Sequence, residues 1–226
     1  TALEALKNGE CDMISLGRPL LADPDYCNKL RSGRTCQIRP CISCHEGCMG
    51  RIATYSLINC AVNPQAARER AMAYEPILQK KKVLVVGGGV AGCEAARVLA
   101  IRGHQPVLFE KSGRLGGNLL PGGAPKFKED DIALANWYAQ EMDRLKVEVH
   151  LNTEITKKDI LTGDYDTVSM ATGSTPKVFS LGDDEKVYTA SQVLLKEKDC
   201  GETTVVVGGG LVGCETALWL AQQGKK

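Results

Sequence analysis

A glycine-rich turn between an apolar run and a helix-like segment occurs twice in this chain, and this repeat constrains the fold more than any other feature. In the first copy, residues 83–86 are apolar and mostly β-branched, which is typical of a buried parallel strand. Gly87, Gly89 and Gly92 follow as G-x-G-x-x-G, and the spacing of apolar residues over 94–101 predicts a helix. This order predicts an α/β fold built on strand, turn and helix.

The spacing of the first copy suits the binding of a dinucleotide. The first glycine of such a turn allows a tight bend, the second lets a pyrophosphate approach the backbone, and the third lets the helix pack on the strand. The helix N-terminus offers free N–H groups to the phosphates. A second predicted strand over 106–109 leads to Glu110, which is placed to accept the ribose hydroxyls. The alternative is a tight strand-to-helix turn in an unrelated α/β domain.

The second copy begins 121 residues later and carries the same three glycines, Gly208, Gly210 and Gly213. Residues 85–103 and 206–224 share 12 identities in 19 aligned positions. We interpret the repeat as a second dinucleotide site. The residue that would select NAD or NADP is expected on a strand after the last residue, so the sequence does not predict which of the two binds.

Each copy also has a cysteine near the start of its helix, Cys93 or Cys214. A helix N-terminus can lower the pKa of a thiol, but we favour the alternative of a small buried side chain at a helix–sheet contact. Neither nucleotide unit contains a Cys-x-x-Cys or Cys-x4-Cys pair. The sequence therefore argues against a disulfide reductase.

The chain has ten cysteines but not the short, helix-poor sequence of a secreted disulfide scaffold, which favours metal or redox chemistry. Four of them are separated by two, three and eleven residues, namely Cys41, Cys44, Cys48 and Cys60. Four thiolates suit tetrahedral zinc or an iron–sulfur cluster, and the spacing favours a cluster without excluding zinc. His45 lies between two of these cysteines, and we interpret it as a surface residue or a neighbour of the ligands.

The N-terminal segment matches one repeat of a (β/α)8 barrel. Residues 2–6 look like the end of a helix, 12–16 like a strand, and 23–30 like a short polar helix. Between the last two lie Gly17 and Arg18, and the loops after late barrel strands commonly bind phosphate. An arginine can pair bidentately with such a phosphate, although a structural arginine is the common alternative.

Composition excludes several other functions. Hydrophobic residues make up 43% and charged residues 24% of the chain, and the net charge is +1, so nothing indicates nucleic acid or a membrane surface as a partner. No apolar run approaches the length of a membrane span, and the N-terminus has no signal-peptide pattern. We expect a cytoplasmic protein that acts on small molecules.

Read in order, these motifs resemble the modular NADH:flavin oxidoreductases of the Old Yellow Enzyme type, a family that includes 2,4-dienoyl-CoA reductase, 2-enoate reductase and trimethylamine dehydrogenase. The family's last barrel strand and FMN-phosphate loop resemble DMISLGRPLLADP, and its cluster motif resembles CISCHEGC with INCAVNP. Its FAD motif resembles the first glycine copy as far as Gly116 and Gly117, and its exit from the FAD domain resembles YDTVSMATGSTP.

The resemblance implies an α/β protein in five parts. These are the C-terminal end of an FMN barrel (1–35), an iron–sulfur segment (36–80), the N-terminal half of a Rossmann-like, three-layer FAD domain (81–180), a connection (181–202) and the truncated start of an NAD(P) domain (203–226).

The resemblance also implies four cofactors and their site residues. FMN would contact Gly17 and Arg18, a 4Fe-4S cluster would take Cys41, Cys44, Cys48 and Cys60, FAD or ADP would lie on Gly87, Gly89, Gly92, Glu110, Gly116 and Gly117, and NAD(P)H would lie on Gly208, Gly210 and Gly213.

The implied activity is electron transfer from NAD(P)H through FAD and the cluster to FMN, which reduces the activated C=C bond of an enoate or dienoyl thioester. Two alternatives remain: an amine dehydrogenase of the trimethylamine dehydrogenase type with ADP in the FAD-like site, and a non-catalytic nucleotide- and metal-binding fragment. Most of the barrel, including the acid that protonates substrate, is expected before the first residue. We therefore expect no turnover by these 226 residues alone.

Overall fold

The computed structural model of the protein describes residues 2–177 and 184–226, so the boundary predicted between residues 180 and 181 lies outside the described residues. The chain divides into two compact units, Thr1–Ala73 and Tyr74–Lys226. The four cysteines of the predicted cluster lie in the first unit, and both glycine-rich turns lie in the second. Within the described ranges, no helix has the length and apolar character to cross a bilayer.

The first unit is built from short helices and irregular backbone. Its helices are α1 (Ala2–Lys7), α2 (Arg18–Ala22), α3 (Tyr26–Arg31) and α4 (Met49–Ile52), with a 3-10 turn at Thr35–Gln37. The predicted helix over 23–30 is displaced, because Asp23 precedes Pro24 and adopts an extended conformation that separates α2 from α3.

The strand predicted over 12–16 is not observed. These residues are described, but they form no strand, and no described segment pairs with them. A strand needs a neighbour whose backbone groups complete the hydrogen-bonded ladder. The sequence pattern indicates apolar residues that suit a strand, but it does not indicate whether a partner strand is present.

The second unit is organised around a parallel sheet of four strands in the order β3-β2-β1-β4. The strands are β1 (Lys82–Val86), β2 (Gln105–Phe109), β3 (Glu148–His150) and β4 (Thr167–Met170). In the central pair, Leu84 lies opposite Val107, and on the other side of β1 it lies opposite Val168. The predicted α/β class and the strands predicted over 83–86 and 106–109 are thereby confirmed.

Helices follow the strands of the second unit as the glycine pattern predicts. They are α5 (Val90–Arg102), α6 (Leu119–Gly122), α7 (Glu129–Arg144), α8 (Lys157–Thr162), α9 (Ala190–Leu194) and α10 (Leu211–Gln222), with 3-10 turns at Lys126–Lys128 and Asp184–Lys186. Helix α5 includes the helix predicted over 94–101 and ends at Arg102, where Gly103 caps it in the left-handed conformation.

Apolar burial holds the sheet and its helices together. Leu84 and Leu108 are fully buried in β1 and β2, and α5 packs against both strands. Helix α7 packs on α5, where the buried Arg97 of α5 pairs with Glu94 at 2.8 Å and lies 5.7 Å from the ring centre of Trp137. Burial of this apolar surface is the main stabilising contribution to the unit.

The second glycine copy keeps its helix but not its strand. Residues 203–207 form no strand in the structure, and Val205 and Val207 are 85% and 74% exposed. Helix α10 is held instead by contacts with α9 and by an ion pair of 3.0 Å between Lys128 and Glu215. The helix expected after the second glycine-rich turn is confirmed. The prediction of a strand before that turn is wrong, because no described strand pairs with residues 203–207.

Candidate functional site

The four predicted cluster cysteines line one cavity of the first unit. The cavity has a volume of about 310 Å³, open solvent at its mouth included, and its other lining residues include the apolar Leu21 and Val62. Three of the thiols are partly buried, and that of Cys44 is exposed. The structure therefore brings together all four residues that the spacing singled out.

Backbone contacts explain how this loop places two of the cysteines. The N–H of Asn59 donates to the carbonyl of Gly47 at 2.6 Å, which joins the residue before Cys60 to the residue before Cys48. A Cβ on Gly47 would lie 2.6 Å from the Asn59 carbonyl oxygen, so only glycine fits this contact. Sequence reasoning missed both residues, since nothing in their local pattern indicates the long-range contact.

The four cysteines share the lining of one cavity, which allows a comparison with the two groups that four thiolates can hold. Among the residues that the structure describes, no three His, Cys, Asp or Glu side chains are grouped as ligands of a single metal ion. Zinc would require the sulfurs about 2.3 Å from one centre, whereas a four-iron cluster takes one thiolate at each iron and keeps the sulfurs further apart. The four-thiolate donor set suits either group, and the cluster stays a prediction.

Arg18, the predicted FMN contact, also lies at this cavity. Its Nη1 donates to Nε2 of His45 at 2.8 Å, and both residues line the cavity with the cysteines. Gly17 precedes it as the residue that caps α2. The role of Gly17 and Arg18 toward FMN stays a prediction, and the structure adds a contact with the cysteine loop that the sequence did not indicate.

The first glycine-rich turn has the geometry that a pyrophosphate requires. A Cβ on Gly92 would collide with the Gly87 carbonyl oxygen, so α5 can approach β1 this closely only with glycine here. A Cβ on Gly89 would meet nothing nearer than Gly117 Cα at 3.9 Å, which leaves open space at the start of α5. The N–H of Gly116 donates to the Gly88 carbonyl at 2.8 Å. The predicted Gly116–Gly117 pair is thus brought against the turn.

Glu110 lies at the carboxyl end of β2, beside this turn. Its two carboxylate oxygens accept the backbone N–H of Gly88 at 2.6 Å and of Ser112 at 2.8 Å. Burial opposes ionisation of this carboxyl, but the hydrogen bonds from Ser112 and Gly88 outweigh it, and the pKa of Glu110 lies below its ordinary value. Glu110 is therefore an ionised acceptor at the position predicted for the ribose.

The second turn has the same backbone as the first. Gly208 has a φ of 115° where Gly87 has 107°, and a Cβ on Gly213 would collide with the Gly208 carbonyl as in the first copy. Gly210 caps α10 with φ −77° and ψ −179°, close to the −74° and −174° of Gly89. A Cβ on Gly210 would meet no atom within 4 Å among the described residues.

The repeated cysteines differ in their surroundings. Cys93 is fully buried and donates to the Gly88 carbonyl at 3.2 Å, and burial, with Glu110 and Glu94 nearby, raises the pKa of its thiol to about 12. The packing interpretation is confirmed for this residue. Cys214 is exposed, so packing at a helix–sheet contact does not describe it.

Comparison with known proteins gives matches along the whole chain. Residues 81–226 match the family model "Pyridine nucleotide-disulphide oxidoreductase". The chain is 52% identical to a cinnamate reductase of Clostridium sporogenes over 223 residues, which are 99% of this chain and 34% of that protein. It thus spans about a third of the length of the curated relatives it matches.

Two solved structures are similar over 99% of the chain. A 2-naphthoyl-CoA reductase in complex with 2-naphthoyl-CoA is 33% identical with a TM-score of 0.93, and 34% of that chain is covered. Histamine dehydrogenase from Rhizobium sp. 4-9 is 26% identical with a TM-score of 0.85, and 35% of that chain is covered.

The two repeated cysteines should differ in reactivity. At about pH 8 we expect iodoacetamide to alkylate Cys93 at least about a hundredfold more slowly than Cys214, because only the thiolate reacts and the pKa of Cys93 is about 12. Peptide mass spectrometry after timed labelling measures both rates. Equal rates in the folded protein would contradict the burial of Cys93.

Two glycines of the first turn should respond differently to alanine. In Gly92→Ala the new Cβ meets backbone that cannot move away, so we expect a loss of about 1–3 kcal/mol in the free energy of unfolding of the second unit. Gly89→Ala adds its Cβ to open space and should unfold like the parent, yet bind ADP more weakly. Circular dichroism on heating and calorimetry with ADP separate the two effects. A stable Gly92→Ala protein would disprove the close contact.

Proposed function

We propose that this chain carries the electron-entry half of an enzyme that reduces the activated C=C bond of an enoate or enoyl thioester. The chain belongs to the pyridine nucleotide-disulphide oxidoreductase family and to the modular NADH:flavin oxidoreductases of the Old Yellow Enzyme type. The observation that carries the proposal is the pairing of two cofactor sites in one chain: a cavity lined by four cysteines, and a glycine-rich turn flanked by an ionised glutamate.

The second unit would hold an adenine dinucleotide. Gly89 admits the pyrophosphate to the start of α5, whose free N–H groups favour its negative charge. The Glu110 carboxylate, already fixed by two backbone N–H groups, would accept hydrogen bonds from the adenosine ribose. The equivalent geometry at Gly208, Gly210 and Gly213 supports NAD(P)H as the ligand of the second turn.

The first unit would hold a 4Fe-4S cluster on Cys41, Cys44, Cys48 and Cys60. When bound, such a cluster transfers single electrons, and flavins connect it to the two-electron chemistry of nicotinamide. The chain's own contribution is to present four thiolates around one cavity and to surround them with apolar residues such as Leu21 and Val62. Such surroundings limit the access of water to the site.

The relatives support a reductase over an amine dehydrogenase. The cinnamate reductase and the 2-naphthoyl-CoA reductase bear names that describe the reduction of an unsaturated acid or thioester. The cinnamate reductase is 52% identical over 99% of this chain, whereas an N,N-dimethylglycine/sarcosine dehydrogenase of Chromohalobacter salexigens is 36% identical over 77% of it. The complete second glycine turn also favours a nucleotide-fed reductase. The amine dehydrogenase, with ADP in place of FAD, is the second candidate.

The cluster assignment predicts that only changes at the four cavity cysteines remove the visible absorption of the cluster. Cys→Ser at position 41, 44, 48 or 60 should abolish or strongly reduce the broad visible absorption of the chain reconstituted anaerobically with iron and sulfide. Cys27→Ser is the matched control, since Cys27 is exposed and does not line the cavity. Tight binding of one zinc ion and no iron by the parent chain would overturn the assignment.

The dinucleotide assignment predicts a dependence on Glu110. Glu110→Ala should weaken ADP or FAD binding by about 1–3 kcal/mol, because ribose hydroxyls and the Gly88 N–H lose an acceptor. Titration calorimetry of the full chain measures the difference, with the exposed Glu202 changed to alanine as the control. Equal affinities for Glu110→Ala and the parent would remove this residue from the site.

A further inference from the structure

We infer that Arg39 is a positioning residue, which holds the two ends of the cysteine loop together so that Cys60 reaches the group bound by Cys41, Cys44 and Cys48. The inference rests on the proposed function, because it presupposes that the four thiolates share one iron–sulfur cluster. Arg39 is not a ligand itself, and nothing in its local sequence pattern distinguishes it from a surface arginine.

Arg39 is buried in the first unit, where a charged side chain destabilises the fold unless its donors are hydrogen-bonded. Only 6% of its surface is exposed, and arginine is rarely buried unless its donors are satisfied. Its Nη1 donates to the carbonyl oxygen of Val62 at 2.5 Å. Its backbone N–H donates to Oδ2 of Asp23 at 2.8 Å. One residue thus contacts both the Val62 segment and the Asp23 segment.

The contact of Arg39 with Val62 joins the two ends of the cysteine loop. Arg39 lies two residues before Cys41, the first ligand, and Val62 lies two residues after Cys60, the last one. The contact between Arg39 and Val62 therefore closes the loop of the four cysteines at its base. Val62 itself is buried and lines the cavity.

Two further buried polar residues attach this base to the segment that precedes it. Asp23 is 4% exposed, and its Oδ2 also accepts from Lys29 Nζ at 2.6 Å. Asn63 is 4% exposed, and its side-chain amide donates to the Leu21 carbonyl at 2.9 Å. These contacts give Arg39 a fixed support, so its guanidinium can set the position of Val62.

Loss of the guanidinium should affect Cys60 more than the other ligands. Cys41, Cys44 and Cys48 lie within eight residues of each other and stay close without Arg39. Eleven residues separate Cys60 from Cys48, and closing that loop costs conformational entropy unless contacts at its ends hold it. The Asn59 contact with Gly47 sets its distance from Cys48, whereas Arg39 sets its distance from Cys41.

The test compares Arg39→Met, which keeps an unbranched apolar side chain but removes the donors, with Arg39→Lys, which retains a charged donor group. Arg34→Met is the matched control, since Arg34 is exposed and lies on the same segment. Each full-length chain is reconstituted anaerobically with iron and sulfide and freed of excess metal. Iron per chain is then measured, and alkylation of Cys60 by iodoacetamide is followed by peptide mass spectrometry.

We expect about four iron atoms per chain and a protected Cys60 in the parent and in Arg34→Met. In Arg39→Met we expect about three iron atoms, and alkylation of Cys60 that is faster by about tenfold or more, the usual effect of losing a residue that orients a ligand. Arg39→Lys should restore most of the protection. Cys41 and Cys44 should stay protected in every variant.

Protection of Cys60 in Arg39→Met equal to that in the parent would overturn the inference. Loss of all iron from both Arg39→Met and Arg39→Lys would also overturn it, because the arginine would then be needed for the fold of the unit and not for one ligand. A parent chain that binds zinc or no iron is a different result: it would remove the proposed cluster, and this inference with it.

Discussion

The close approach of α5 to the parallel sheet is the constraint on which the second unit depends. It exists because Gly92 has no side chain where the Gly87 carbonyl passes, and it is stabilised by buried apolar residues in the two strands that α5 contacts, such as Leu84 and Leu108. The same approach leaves space beside Gly89 at the start of α5, where we propose that a pyrophosphate binds, so one arrangement of backbone would serve both packing and nucleotide binding. A change that relaxes this contact should damage stability and the nucleotide site together.

The first unit is stabilised differently, because it has few helical residues and no described strand to support its cysteines. Its order comes from buried polar contacts, in which Asp23, Arg39 and Asn63 connect distant segments through hydrogen bonds to backbone groups. Such contacts stabilise a loop only when each buried donor and acceptor is satisfied. No buried side-chain nitrogen or oxygen in the described part of the chain lacks a partner. A bound cluster would add four bonds to this framework.

The sequence predicted what local pattern determines and missed what depends on distant partners. Strands β1 and β2, the glycine turn and Glu110 follow from residues close together in the chain, and the structure confirms their placement. The strands expected over 12–16 and 203–207 are not formed, because a strand is completed by a neighbour that no local pattern specifies. The contact of Arg39 with Val62 joins residues 23 positions apart, and the spacing of residues in the sequence likewise does not predict it.

The central claim is that the four cysteines hold a multi-iron cluster, and Mössbauer spectroscopy of the chain reconstituted with ⁵⁷Fe tests it most directly. The account predicts that the bound iron lies in sulfur-ligated sites of one cluster, held by the four cysteines that line the cavity. Iron found as isolated ions with nitrogen or oxygen ligands would contradict the account, and so would a chain whose cavity retains only zinc under the same conditions.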